Sequence, residues 1–170
     1  AGFYDESISN GLGWRAVLFV SGCPHNCPGC QNKEAQSFDY GEEFDKEKII
    51  NKICDNSILK GITISGGEPL LQSKFLIELF TELKKYNIHT CIDTSGSVDL
   101  TDDIKKLIDL TDLFLLDIKC IKDKKANYLT GVSNKKELDF GRYLSDINKP
   151  LWIRQVLVPG ITDDEQDLSE

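Results

Sequence analysis

Three cysteines within eight residues constrain this chain more than any other feature of its sequence. Cys23, Cys27 and Cys30 have the spacing C-x3-C-x2-C, and they follow the apolar run at residues 16–20. This pattern predicts a buried strand that ends in a loop, and the loop gathers three thiols at one point. Thiolates close in sequence can converge on one metal centre, and soft sulfur ligands select iron–sulfur clusters, zinc or copper.

The number of thiols leaves three alternatives open. A structural zinc site normally takes four protein ligands. Within the loop only His25 could be the fourth, at an awkward spacing, and the remaining cysteines are single and scattered (Cys54, Cys91, Cys120). A cubane cluster held through three of its irons, with one iron open to a small molecule, needs only the three clustered thiolates. The alternatives are a zinc site and three reduced structural thiols.

The order of motifs resembles the radical S-adenosylmethionine (AdoMet) enzymes, in which C-x3-C-x2-C follows the first strand. Residues 10–15 and 22–32 resemble the activase of anaerobic ribonucleotide reductase, and residues 61–160 resemble the activase of pyruvate formate-lyase. Both are glycyl-radical-enzyme activating enzymes. The resemblance implies a 4Fe–4S cluster on the three clustered cysteines. Gly29 stands where most of the family carries an aromatic residue, a departure that the reductase activases share.

Apolar runs alternate with helical patterns along the rest of the chain. Five strands are predicted, at residues 14–20, 61–65, 89–93, 113–119 and 151–158, and helices are predicted to begin near Asp45, Ser73, Thr101 and Asn134. This rhythm indicates an α/β fold built from parallel β/α units. Residues 1–13 are predicted to form a loop or a short hairpin. Asn134 and Glu137 have the spacing of a capping box.

The resemblance implies that these units form an open partial β/α barrel of the radical AdoMet type, with about five β/α units present. We expect a single domain over residues 1–170. Residues 162–165 have the pattern of another helix start, so we also expect the domain to be incomplete at its C-terminus.

Polar or glycine-rich turns follow the predicted strands, and parallel β/α folds bind ligands at that edge. The resemblance assigns Gly66, Gly67 and Glu68 to the amino group of AdoMet, Asp93 to its ribose and Lys119 to its carboxylate. It further implies a monovalent cation at Asp93 and Asp117. Arg154 lies in an apolar strand, which predicts that it faces a ligand, AdoMet in this family.

Each of these motifs also has a plainer interpretation. The glycine turn at residues 66–69 could be an ordinary connection from strand to helix. Asp117 and Lys119 could form a pair on the solvent side of a strand. His25 is predicted to order the cysteine loop and His89 to lie at the surface. The single cysteines Cys54, Cys91 and Cys120 are predicted to be structural.

The resemblance implies an enzyme that cleaves AdoMet reductively to a 5′-deoxyadenosyl radical and so generates a glycyl radical on a partner. That partner would be a pyruvate formate-lyase-like enzyme or an anaerobic ribonucleotide reductase, and flavodoxin or ferredoxin would donate the electron. One alternative is a non-catalytic iron–sulfur or zinc module. Another is a radical AdoMet enzyme that acts on a small molecule.

The net charge and the apolar pattern limit which other partners the sequence predicts. The net charge of −8 argues against non-specific binding to nucleic acid or to anionic membranes. No apolar stretch reaches the roughly 18 residues that a membrane-spanning helix needs. Three clustered cysteines among six fit a reducing cytoplasm better than a disulfide framework.

Overall fold

The computed structural model describes residues 2–165, which form one six-stranded sheet with its strands in chain order. The strands β2 to β6 pair in parallel, and β1 pairs antiparallel with β2. Within the described residues β1 and β6 do not pair, so the sheet is open. The strands are β1 (Gly2–Ser7), β2 (Arg15–Val20), β3 (Gly61–Gly66), β4 (His89–Thr94), β5 (Leu113–Asp117) and β6 (Leu151–Arg154).

Five α-helices follow the parallel strands β2 to β5 in the described residues. They are α1 (Lys46–Cys54), α2 (Ser73–Lys84), α3 (Asp102–Leu110), α4 (Asp123–Thr130) and α5 (Lys135–Asp146). The predicted starts of α1 and α3 are confirmed: Asp45 accepts a hydrogen bond from the N–H of Glu47, and Thr101 accepts one from the N–H of Ile104. None of the helices in residues 2–165 is long and apolar enough to cross a membrane.

The hydrophobic core lies between these helices and the sheet. Alternate residues of the strands point towards the helices, as the period of two in a strand requires. The helices contribute apolar residues at helical spacing, and the members of this layer are at most 1% exposed. They include Ile62, Ile64, Ile92, Phe114, Leu116, Leu76, Leu79, Phe80, Leu107 and Phe140.

The α/β class and the five parallel strands of an open partial barrel are confirmed, but several local predictions are corrected. Of the two alternatives for residues 1–13, the hairpin is confirmed, because residues 2–7 form β1 and pair with β2. The last strand ends at Arg154, whereas the apolar run had predicted residue 158. Helix α4 was not predicted, because its hydrophobic pattern is weak. The further helix predicted after residue 162 lies mostly outside the described residues.

The predicted capping box at Asn134 and Glu137 is wrong. The Asn134 side chain makes no capping hydrogen bond to α5. It instead donates to the carbonyl oxygens of Cys120 and Ile121, at 2.7 and 2.6 Å. Glu137 is 1% exposed and turns into the protein. Spacing alone could not reveal this, because the loop that follows β5 competes for the Asn134 amide.

A buried arginine closes the barrel at the end where the parallel strands begin. Arg15 is 0% exposed, and it donates to the carbonyl oxygen of Leu12 and, at 3.0 Å, to the hydroxyl of Thr63. Thr63 in turn donates to the carbonyl oxygen of Asn10 at 2.6 Å. These contacts fix the loop at residues 8–14 across the inner face of the sheet, so the space inside the barrel has a floor.

Candidate active site

The cysteine loop leaves β2 at its C-terminal end and is held by backbone hydrogen bonds. Gly22 N–H donates to the carbonyl oxygen of Ala35 at 2.8 Å, and Cys23 N–H donates to that of Gln36 at 3.1 Å. Asn26 N–H donates to the carbonyl oxygen at the end of α4, at 2.7 Å. The loop is therefore fixed on both sides, while its three clustered thiols remain partly exposed.

The turn after β3 lies in direct backbone contact with the cysteine loop. Glu68 N–H donates to the carbonyl oxygen of Gly22 at 2.8 Å, and Gly67 N–H donates to that of Val20 at the same distance. A Cβ atom on Gly67 would lie 2.4 Å from the Gly22 oxygen, and Gly66 has a φ of +110°. Both positions therefore require glycine, which is why the turn can approach the thiols closely.

The carboxyl group of Glu68 joins the ends of two strands. Glu68 is 1% exposed. Its Oε1 accepts from Leu70 N–H and from the hydroxyl of Thr94, and its Oε2 accepts from the N–H and the hydroxyl of Ser95 at 3.0 and 2.6 Å. Four donors on one carboxylate make Glu68 a residue that positions the turn. Its predicted contact with the AdoMet amino group stays a prediction.

Two carboxylates and two cations alternate at the ends of β4, β5 and β6. Asp93 accepts from Ser65 at 3.0 Å and from Arg154. Asp117 accepts from Lys119 at 2.8 Å and lies 3.6 Å from the Arg154 Nε atom. The plainer interpretation of a solvent-side pair is wrong, because the Asp117 and Lys119 side chains are only 23% and 26% exposed.

Burial and ion pairing have opposite effects on the pKa values of these charged groups. Burial raises the pKa of Asp93, and the nearby Arg154 guanidinium only partly reverses this effect. Burial alone would lower the pKa of Lys119, but its pairing with Asp117 outweighs burial and raises it. The ammonium of Lys119 is thus held charged inside the cavity, where it can bind a carboxylate.

Every candidate residue predicted from the sequence lines a single cavity of about 910 Å³. This volume lies within the range of small-molecule and cofactor sites, about 300–1,000 Å³. A smaller cavity of about 500 Å³, beside the loop at residues 38–44, contains none of them. The candidates that share the larger cavity are Cys23, Cys27, Cys30, Gly66, Gly67, Glu68, Asp93, Asp117, Lys119 and Arg154.

The thiols fit a cluster better than a single ion. Within residues 2–165, no three or more His, Cys, Asp or Glu side chains are arranged to hold one metal ion. A tetrahedral zinc site would bring its sulfurs together around one atom, whereas a cubane binds each thiolate through a different iron. Burial raises the pKa of Cys23 to about 11, against the opposing effect of the His25 backbone N–H. Binding of a metal centre would therefore have to displace the proton of the Cys23 thiol.

One buried residue beside the cysteine loop, Glu137, was not predicted from the sequence to belong to this region. Glu137 is 1% exposed, and its Oε1 lies 3.4 Å from His25 Nε2 in the cysteine loop. A signal was available, because Glu137 shares one face of α5 with the buried residues Phe140 and Leu144. Burial raises the pKa of Glu137 to about 7. The prediction that His25 orders the loop fits this contact.

The remaining histidine, His89, and the three single cysteines lie outside the cysteine loop. His89 was predicted at the surface, which is wrong in part: it is half-buried, and its Nδ1 lies 3.3 Å from Arg15 Nη2. Cys91 and Cys120 are 0% exposed, and Cys54 is partly exposed on α1. All three are free thiols, as expected for structural positions.

Comparisons with known proteins identify the family to which the chain is similar. A family profile described as a 4Fe-4S single cluster domain matches residues 9–137. Over 94% of the chain, the pyruvate formate-lyase-activating enzymes of Staphylococcus epidermidis and Staphylococcus aureus are 44% and 42% identical to it. The chain spans 68% of the length of each of these relatives.

Solved structures give the same fold. A domain of the pyruvate-formate lyase-activating enzyme from Bacteroides vulgatus superposes with a TM-score of 0.59 and 27% identity, over 64% of this chain and 66% of that chain. The protein anSMEcpe with bound AdoMet has a TM-score of 0.74 at 18% identity, over 90% of this chain and 46% of that one. At this identity the second likeness concerns the fold alone.

The profile match covers most of the chain, and the Staphylococcus relatives agree with it over nearly its full length. The chain therefore belongs to the radical AdoMet enzymes, in the group of glycyl-radical-enzyme activating enzymes that includes those of pyruvate formate-lyase.

Proposed function

We propose that the chain binds a 4Fe–4S cluster and AdoMet together in the 910 Å³ cavity and uses them to generate a glycyl radical on a pyruvate formate-lyase-like partner. One observation carries the proposal: the three thiols, the glycine turn and the charged group share that cavity. The names of the relatives favour pyruvate formate-lyase over ribonucleotide reductase.

The protein's own residues would bind and orient the two cofactors. Cys23, Cys27 and Cys30 would each hold one iron, which leaves the fourth iron free. The backbone carbonyl groups of Gly66 and Gly67 would accept hydrogen bonds from the AdoMet amino group, because a carbonyl oxygen can accept from an ammonium. When bound and reduced, the cluster supplies the electron that splits AdoMet into methionine and a 5′-deoxyadenosyl radical, and this radical takes a hydrogen atom from the partner's glycine.

The charged group would hold the rest of the nucleotide. Lys119 would pair with the AdoMet carboxylate, because an ammonium acts as a compact point charge. Asp93 would accept from the ribose hydroxyls, and Arg154 would keep Asp93 and Asp117 from repelling each other. The same two aspartates are the proposed position of a monovalent cation. Flavodoxin or ferredoxin is proposed as the electron donor.

Anaerobic reconstitution with iron and sulfide tests this function. We expect about four irons per chain and, after reduction in the presence of AdoMet, equal amounts of methionine and 5′-deoxyadenosine. Co-expression with pyruvate formate-lyase should give the electron paramagnetic resonance (EPR) doublet of a glycyl radical. About one zinc per chain and no AdoMet cleavage would favour the non-catalytic module. AdoMet cleavage without the doublet on either glycyl radical enzyme would favour a small-molecule substrate.

A further inference from the structure

A buried acidic side chain beside the cysteine loop has no role in the function proposed above. Glu137 lies in the first turn of α5, and its side chain is 1% exposed. It faces the imidazole of His25, itself 2% exposed, across 3.4 Å between Oε1 and Nε2. Within residues 2–165, His25 Nε2 and Glu137 Oε2 have no aligned hydrogen-bond partner. Burying a carboxyl group is costly, so its presence here needs a reason.

The backbone around His25 connects this pair to the thiols. The backbone N–H of His25, two residues after Cys23, acts on the Cys23 thiol and lowers its pKa against the effect of burial. The next residue, Asn26, donates its N–H to the carbonyl oxygen of Thr130 at the end of α4. The segment from α4 to α5 therefore contacts the cysteine loop at two points, once through the backbone and once through the Glu137–His25 pair. Amide donors to cluster sulfurs set the reduction potential of a cluster.

We propose that Glu137 is a positioning residue for the iron–sulfur site. It fixes the imidazole of His25, and the fixed imidazole holds the backbone N–H that acts on Cys23. This inference rests on the proposed function, because it assumes a cluster on the three clustered cysteines. Lys119 also acts electrostatically on Glu137, so one carboxyl group links the cluster loop to the residue assigned to AdoMet.

A double-mutant cycle on the full chain tests this linkage. Glu137→Ala, His25→Ala and the double variant are reconstituted anaerobically, and the release of iron to a chelator is followed with time. We expect each single variant to release iron about tenfold faster, as is typical when a partner of a ligand loop is removed. The double variant should release iron no faster than either single variant, because the two residues act in series.

The midpoint potential of the cluster gives a second readout, which a merely structural role would not move. Loss of the amide donor at Cys23 should shift the potential of each single variant to a more negative value, because the reduced cluster loses a stabilising hydrogen bond. Glu137→Gln keeps an acceptor for His25 and the same shape, so its potential should lie between those of the wild type and Glu137→Ala.

Leu144→Ala is the matched control, because Leu144 is 0% exposed on the same helix but lies two turns further along. It should lower the melting temperature without changing the iron release or the potential. Equal acceleration by Leu144→Ala, or simple additivity in the double variant, would overturn the positioning role. If Glu137→Ala does not fold, an unchanged potential and iron release in Glu137→Gln would overturn it.

Measurements on the wild-type chain distinguish a failure of this inference from a failure of the proposed function on which it rests. A wild-type chain that takes up no iron would refute both. A wild type that holds about four irons and cleaves AdoMet, with variants that match it in iron release and potential, would refute only the role of Glu137.

Discussion

Arg154 and Asp93 form an ion pair that crosses β5 and joins the end of β6 to the end of β4. Asp117, at the end of the strand between them, lies 3.6 Å from the Arg154 Nε atom. One guanidinium therefore serves two carboxylates. The negative charge that the cavity offers to a ligand therefore depends on Arg154 together with Lys119, which pairs with Asp117.

Replacing Arg154 should weaken AdoMet binding without affecting the cluster. In Arg154→Ala the two aspartates would repel the AdoMet carboxylate, and we expect the dissociation constant to rise at least about tenfold, or about 1.4 kcal/mol. Calorimetric titration of the reconstituted chain measures this change. Arg154→Lys should recover part of the affinity. Arg142→Ala removes an exposed pair with Asp139 and should bind AdoMet as the wild type does; equal losses in both alanine variants would contradict the assignment.

The glycine turn gives a steric prediction. A methyl group on Gly67 would lie 2.4 Å from the Gly22 carbonyl oxygen and 2.7 Å from that of Ala35, so Gly67→Ala must push the turn and the cysteine loop apart. We expect it to lower the melting temperature and the iron content after reconstitution. Gly29→Ala meets no atom within 4 Å and should retain both values. Wild-type iron content in Gly67→Ala would show that the two loops are not coupled.

The cysteines divide into two sets with different expected losses. Cys23→Ser should retain far less iron than the wild type, because a hydroxyl is a poor ligand for iron in a cluster. Cys54→Ser changes a partly exposed thiol on α1 and should leave the iron content at the wild-type value. Iron and sulfide analysis after anaerobic gel filtration measures both. If the two variants lost equal amounts of iron, the cysteine loop would not be the cluster site.

Replacing the buried carboxylate of Glu68 should lower the free energy of unfolding even before any cofactor is bound. Glu68→Gln places an amide NH₂ against the hydroxyl and N–H donors of Thr94 and Ser95. Leaving such donors unpaired costs about 1–3 kcal/mol. Urea denaturation of the chain before reconstitution should show this loss in the free energy of unfolding. Glu78→Gln, which alters an exposed pair with Lys46, is the control and should change it by less than about 1 kcal/mol.

His89 gives a prediction for pH. Burial, and then the charge of Arg15, lower its pKa below the ordinary value of 6.5. At His89 the folded chain therefore binds fewer protons than the unfolded chain as the pH falls below 6.5, so the contribution of His89 to stability is present above pH 6.5 and is lost as the pH falls through the folded-state pKa. His89→Asn should make the melting temperature depend less steeply on pH between 5 and 7. Because His25 is present in both proteins, an unchanged slope would count against His89.

The sequence predicted the elements whose signals are local. The C-x3-C-x2-C spacing, the glycine turn and the solid apolar runs lie in continuous stretches, and the parallel order of the strands then brings their ends to one edge. It could not predict α4, because that helix has a weak hydrophobic pattern and is held by the Asp123 carboxylate, which accepts from Ser133 and from the N–H of Asn134.

The partner of a polar side chain was harder to predict than its position. Glu137 was expected to cap its own helix, and it instead faces His25, more than 100 residues earlier in the chain. The sequence also did not predict that the oxygens of Glu68 accept from Thr94 and Ser95 at the end of β4, while its predicted contact with AdoMet stays a prediction. In both cases the contacting group comes from a distant strand or loop, and a single sequence does not record that contact.

The loop at residues 8–14, which Arg15 holds in place, closes one end of the cavity inside the barrel. Ser9 and Asn10 of the fastened loop line its closed end, and the cysteines lie at the opposite end. Under the proposed function, AdoMet and the glycine of the partner enzyme would therefore reach the cavity from a side other than the one that this loop covers.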